Sequence, residues 1–148
     1  LPPGTGDIQL TLSQKIPVTG AIVVTTPQDI ALIDARKAVD MFGKVNIPIF
    51  GVLENMSVHI CSHCGHHEPI FGQDGGKALA ERLGVPLLGQ LPLSLPVREA
   101  MDSGSAAQMQ AAHPAIARIY TEAAWQTALA VAAKGKDFSN RFPQIVVE

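Results

Sequence analysis

Cys61-Ser62-His63-Cys64-Gly65-His66-His67 holds the densest chemistry in this 148-residue chain. Two thiolates two residues apart reach one metal centre where the chain reverses between them, and the glycine after the second relieves that turn. They fill half of a tetrahedral or cubane site. Either His59, His63, His66 or His67 completes a mononuclear zinc site within one chain, or a second subunit brings its own pair to make a four-cysteine site. A reducible hairpin disulfide or a solvated thiol pair is the bland alternative. A thioredoxin-like redox site fits less well, because that motif opens a helix directly after a strand. Each histidine taken alone reads as a solvent-facing loop residue.

Leu1-Pro2-Pro3-Gly4-Thr5-Gly6-Asp7 is the second segment of interest. A glycine whose N–H approaches a terminal phosphate without side-chain obstruction is how many NTPases sense the γ-phosphate; in isolation the run is only a Pro-Gly turn. Gly76-Lys77 does not make a phosphate loop. Phe71 stands where the first glycine of G-x-x-x-x-G-K-[ST] belongs, and Ala78 replaces the metal-binding hydroxyl. A helix entered through Gly75-Gly76 is the better reading. Asn55 ends a predicted strand, where open α/β sheets place ligand contacts, and its amide offers a donor and an acceptor to a base edge. An ordinary turn explains it equally well, as it does Thr25-Thr26-Pro27-Gln28-Asp29 at another strand end.

The elements that must position these residues alternate β and α. Leu1 to Gly6 is loop, and Asp7 to Lys15 a short surface helix or connector. Ala21 to Thr26 is β-branched without alternation, as in a strand buried on both faces of a parallel sheet. From Gln28 to about Phe42, Leu32, Ala35, Val39 and Phe42 share one helical face, with Gly43 expected to close the helix. Ile47 to Asn55 reads as the next strand, with Pro48 near its start, completing a right-handed βαβ unit. Met56 to Gln73 is polar and too irregular for a regular element, a functional-loop candidate. Gly75 to Leu83 is a short helix stopped by Gly84, and Pro86 to Pro92 a third strand. Val97 to Asp102 makes one or two helical turns. Pro114 to Ala133 is a long Ala-rich helix whose apolar side, with Ile116, Ile119, Ala123 and Leu129, closes one face of the sheet. The tail from Lys134 to Glu148 includes Ile145-Val146-Val147, an edge strand or a partner contact.

Hydrophobic residues make up 47% of the chain, the formal charge is −2 and the mean hydropathy is +0.20, which suits one compact domain. Its eleven Lys and Arg are scattered, so neither a nucleic acid nor an anionic membrane is an expected partner. A small molecule or a protein is. No stretch approaches the roughly 20 apolar residues that span a bilayer, and no signal peptide pattern opens the chain. A cytoplasmic, reducing setting is expected, in which CxxC serves as metal ligand. Because it opens at Leu1 inside a loop that ordinarily follows a strand, the chain is expected to be a piece of something longer.

The linear order PPGTGD, TTPQDIALIDARKAVDMF, GVLENMS, CSHCG, IFGQDGG and LGVPLLGQLPL resembles the Mrp family of deviant P-loop ATPases, relatives of the septum-site and nitrogenase iron-protein NTPases. The resemblance covers about residues 1–104. It implies an α/β fold, a partial doubly wound parallel sheet with flanking helices, in which residues 1–133 are the C-terminal part of the NTPase domain and 134–148 a tail. It also implies an ATP-dependent homodimeric carrier that holds a [4Fe–4S] cluster between two subunits and delivers it to apo iron–sulfur proteins. In that likeness Cys61 and Cys64 are cluster ligands, two per subunit. Pro3, Gly4 and Asp7 form the switch segment beside the γ-phosphate, Asn55 contacts adenine, and Pro92 opens a loop to Pro96 near the base. ATP and Mg belong to the intact protein. The sequence departs from the family in lacking the KGGVGKS-type half and the acidic residue before the switch, so hydrolysis by this chain alone is not expected. The run Leu93 to Arg98 is also less polar than the usual LD-x-x-IR. The mechanism implied is nucleotide at the dimer interface moving PPGTGD and so changing how paired CxxC loops face each other. Two rivals remain, a zinc-stabilised interaction module on the CxxC loop and a metal-free dimerisation fragment.

Overall fold

The structure is a computed structural model that describes residues 15–134 together with Ile8, Thr11 and Leu12. Ala21–Thr25 (β1), Asp29–Lys44 (α1) and Ile49–Glu54 (β2) form a βαβ unit with parallel strands. Leu32, Ala35 and Phe42 are the buried stripe of α1, at the spacing a helix needs to present one apolar face. The helix does not stop at Gly43. It runs on to Lys44, and the reversal falls at Asn46, with φ 58°, a left-handed conformation that Asn tolerates better than most residues. The amides of Val45, Asn46 and Ile47 then donate to the carbonyls of Met41, Gly43 and Phe42, which satisfies the last turn.

After two further short strands, His59–Ile60 (β3) and His67–Glu68 (β4), come Gly75–Leu83 (α2), Leu87–Gln90 (β5), Leu95–Ser103 (α3), Ala106–Ala112 (α4) and Pro114–Lys134 (α5). The main sheet has the order β1-β2-β5, all parallel. On one face α1 and α2 close a core of Val23, Leu32, Ala35, Val52, Leu79 and Ala80. On the other, α5 packs over β5 and β2 with Ala123 against Gly89, as its Ala-rich composition predicts. Gly84 ends α2 in the left-handed conformation expected of it.

Two further expectations need correcting, and one helix was unforeseen. β1 is not buried on both faces: Val24 is 59% exposed, because among the described residues β1 is an edge strand and α5 lies over the other two. The stretch from Met56 to Gln73 is not irregular, since β3 and β4 pair antiparallel within it, His59 with Glu68 and Ile60 with His67. The helix α4 was not anticipated; it buries no residue, so no apolar period marks it. The expected tail lies outside the described residues beyond Lys134, the last residue of α5. No helix among the described residues is long and apolar enough to cross a membrane.

Candidate metal-binding ribbon and nucleotide edge

The ribbon grows from the carboxyl end of β2. Asn55 N–H donates to the Thr25 carbonyl at 2.7 Å, continuing the β1–β2 ladder, and its side-chain oxygen accepts from Met56 N–H at 3.0 Å. Met56 takes φ 55°, which turns the chain out of the sheet. Ser57 anchors it again, its N–H and its hydroxyl both donating to the Leu91 carbonyl at 3.0 and 3.1 Å. Leu93 N–H donates to the Val58 carbonyl at 2.8 Å, and Ile60 N–H to the Leu93 carbonyl at 3.3 Å. The base of the ribbon is thereby an extension of β5 as much as of β2.

Beyond Ile60 the chain closes tightly. Cys61 N–H donates to the His66 carbonyl and Gly65 N–H to the Cys61 carbonyl, both at 2.9 Å. Gly65 has φ 72° with open space around its absent side chain, so the glycine serves conformation and not close packing. Cys61 is half-buried and Cys64 exposed, and both are free thiols. The amides of Cys64 and then His63 point at the Cys61 sulfur, with the Cys64 thiol adding a third donor. Together they hold the Cys61 thiol below the ordinary range against burial and the Glu68 carboxylate. Donors converging on sulfur favour the thiolate, the form that binds metal. In the reduced, metal-free chain, alkylation of Cys61 by iodoacetamide should have its midpoint at lower pH than in the same chain unfolded in denaturant. The sign follows from the depressed value: the thiolate and its amide contacts persist above the folded midpoint and are lost as pH falls through it. Coincident folded and unfolded profiles would contradict the geometry.

His63, His66 and His67 are exposed and His59 is half-buried. Among the described residues no three His, Cys, Asp or Glu side chains converge on a position that could hold one metal ion. The histidines of the ribbon therefore do not stand with Cys61 and Cys64 in such a group.

Asn55 and Pro92 lie at the carboxyl ends of the adjacent strands β2 and β5, joined by the Leu91 N–H bond to the Glu54 carbonyl at 2.8 Å. Asn55 is half-buried and Pro92 buried. Pro3, Gly4 and Asp7 lie outside the described residues. Gly75 and Gly76 do not cradle a phosphate. A Cβ at Gly75 would stand 2.6 Å from the Pro27 carbonyl oxygen, and one at Gly76 2.8 Å from Glu54 Cβ, so the glycines let the start of α2 press onto the strand ends. Glu54 is the residue sequence reasoning missed, since a lone carboxylate next to Asn55 reads as strand-end polarity.

A family model described as NUBPL iron-transfer P-loop NTPase, under the name ParA, matches residues 1–128. The iron-sulfur cluster carrier protein of Escherichia coli K12 is 67% identical over 105 residues, which cover 71% of this chain and 28% of that protein. The carrier protein of Pseudomonas fragi is 58% identical over 84% of this chain and 43% of its own length. The mouse iron-sulfur cluster transfer protein NUBPL is 55% identical over 70% of this chain and 33% of its own. The chain therefore spans less than half the length of these relatives. Among solved structures, a nucleotide-binding protein from Archaeoglobus fulgidus, in complex with ADP, aligns with a TM-score of 0.63 and 31% identity, over 71% of this chain and 43% of that one.

Proposed function

The chain belongs to the ParA/NUBPL family of iron-transfer P-loop NTPases, and from that premise we propose that its CxxC ribbon binds an iron–sulfur cluster as cargo and passes it to apo-proteins. The observation that carries this reading is the ribbon tip: two free thiols, one of them held toward thiolate by backbone amides, on an antiparallel hairpin that grows from the end of the sheet. Two such tips, one from each of two copies, supply the four thiolates of a [4Fe–4S] cluster. Exposure of Cys64 suits both roles, since a ligand shared with a partner must be reachable and a cargo must leave.

In the intact protein, with residues 1–133 as the C-terminal part of its NTPase domain, ATP and Mg lie along the carboxyl ends of the strands. There Asn55 and Pro92 flank the base and Pro3, Gly4 and Asp7 adjoin the γ-phosphate. A reducing cytoplasm keeps the thiols available. Zinc within one chain is the weaker reading, because the ribbon histidines do not converge with the cysteines.

Anaerobic reconstitution with iron and sulfide tests the reading. A brown chromophore with one cluster per two chains, accompanied by dimerisation in sedimentation, is the expected result. One tightly held zinc per monomer and no chromophore would sink it.

A further inference from the structure

Glu54 is fully buried, with 0% exposure. A carboxylate out of contact with water is costly unless its oxygens are hydrogen-bonded or paired. None of the ion pairs among the described residues includes it. Instead Oε2 accepts the backbone N–H of Gly76 at 2.5 Å, and Oε1 accepts Gln90 Nε2 at 2.8 Å. Gly76 is the second residue of α2, so its N–H has no partner inside the helix and the helix start favours negative charge.

The positions of these two partners give the carboxylate its meaning. The chain leaves the sheet at Glu54, runs through the ribbon and re-enters regular structure at Gly75–Gly76. The Glu54–Gly76 bond therefore closes the two feet of the insertion on each other. Gln90 immediately precedes Leu91 to Leu93, the segment whose backbone holds Ser57, Val58 and Ile60. One side chain thus links the outgoing strand to the returning helix and to the end of β5, the strand whose extension pairs with β3. The fit is close, since a Cβ at Gly76 would come within 2.9 Å of the same Oε2.

We propose that Glu54 is a positioning residue that fixes the CxxC ribbon against the strand ends bearing Asn55 and Pro92. Where the ribbon holds a cluster, as in the proposed function on which this part rests, Glu54 sets the angle at which Cys61 and Cys64 meet a second copy. The clamp on the ribbon base does not depend on the cluster. The Gly76 bond needs only an acceptor of the right reach, and the Gln90 bond can run in either direction. Glu54→Gln preserves them, because the new amide accepts from Gly76 while Gln90 turns its own amide over to accept in return. Glu54→Ala removes both acceptors and leaves the Gly76 N–H unpartnered.

Site-resolved amide exchange on the full chain, as wild type, Glu54→Gln, Glu54→Ala and Gln90→Ala, is the test. Glu54→Ala should speed exchange at Gly76, Ile60, Cys61 and Leu93 by at least about tenfold, the effect of losing one buried hydrogen bond, with little change in β1 and α5. Glu54→Gln should stay near wild type. Gln90→Ala alters an exposed residue, keeps the chain folded, and should speed Ile60 and Leu93 by about threefold while sparing Gly76. Unchanged ribbon exchange in both alanine variants, or uniform acceleration along the whole chain, overturns the proposal. The two readings separate cleanly. A ribbon loosened by Glu54→Ala in a chain that takes up no cluster removes the proposed function and leaves the clamp, and cluster uptake with undisturbed exchange does the reverse.

Discussion

Serine in place of either Cys61 or Cys64 is expected to abolish the iron–sulfur chromophore of the reconstituted chain, not merely to weaken it. The reason is symmetry. If two copies share one cluster, a single substitution removes two of the four thiolates at once, and a serine hydroxyl is a hard, protonated group that does not replace thiolate on iron. Folding should be nearly untouched, because Cys64 is exposed at the hairpin tip and substitutions at such positions fall within about 0.5 kcal/mol. Urea midpoints of Cys64→Ser and wild type should therefore agree while iron content falls to background. Alanine at His63, His66 or His67 should leave cluster yield within about twofold, since these side chains are exposed and make no common site with the cysteines. A zinc module predicts the opposite order, with histidine losses costing metal affinity as much as cysteine losses do. Cluster yield surviving Cys64→Ser at wild-type levels would remove the paired-thiolate reading.

What was legible in the sequence was what local pattern encodes. Leu32, Ala35 and Phe42 recur at helical spacing and are buried; Gly84 stops α2 where expected; the CxxC pair with Gly65 foretells a tight reversal, and one is found. The family resemblance, carried by six motifs in order, reached further than any single one. The rest depends on partners distant in the chain. β3 and β4 are two residues each, too short to show alternation, and the ribbon base is held by Ser57 and Leu91, 34 positions apart. Glu54 meets its partners 22 and 36 positions away, so nothing in its neighbourhood distinguishes it from a solvated carboxylate. The same distance effect explains Val24. A β-branched run shows that a strand forms, and only the placement of α5 decides which side of it is covered.

A large stability effect is expected at Gly89, in β5, where local preference and tertiary packing disagree. Valine favours a strand far more than glycine does, so by propensity Gly89→Val should stabilise. Packing decides otherwise. A Cβ at this position would stand 2.7 Å from the Ala123 Cβ and 3.4 Å from the Ala123 Cα and Leu53 Cδ1. Separations under 3 Å force movement, and what must move is the backbone of α5, not the end of a flexible side chain. Overpacking of a well-filled core costs about 1–3 kcal/mol; the two γ-methyls beyond that Cβ place valine at the upper end or above it, and Gly89→Ala near the lower. The cause is checkable by a double-mutant cycle. Ala123→Gly alone should cost about 1 kcal/mol, the helix penalty of glycine. Combined with Gly89→Ala it restores the space, so the double variant should be more stable than the sum of the singles by at least about 0.5 kcal/mol. Additive effects would mean that α5 yields without resistance. Because β5 continues into Leu91 and Leu93, which carry the ribbon base, a displaced α5 should also raise amide exchange at Ile60 and Leu93. The contact of one glycine with one alanine is thereby connected to the position of the cysteines.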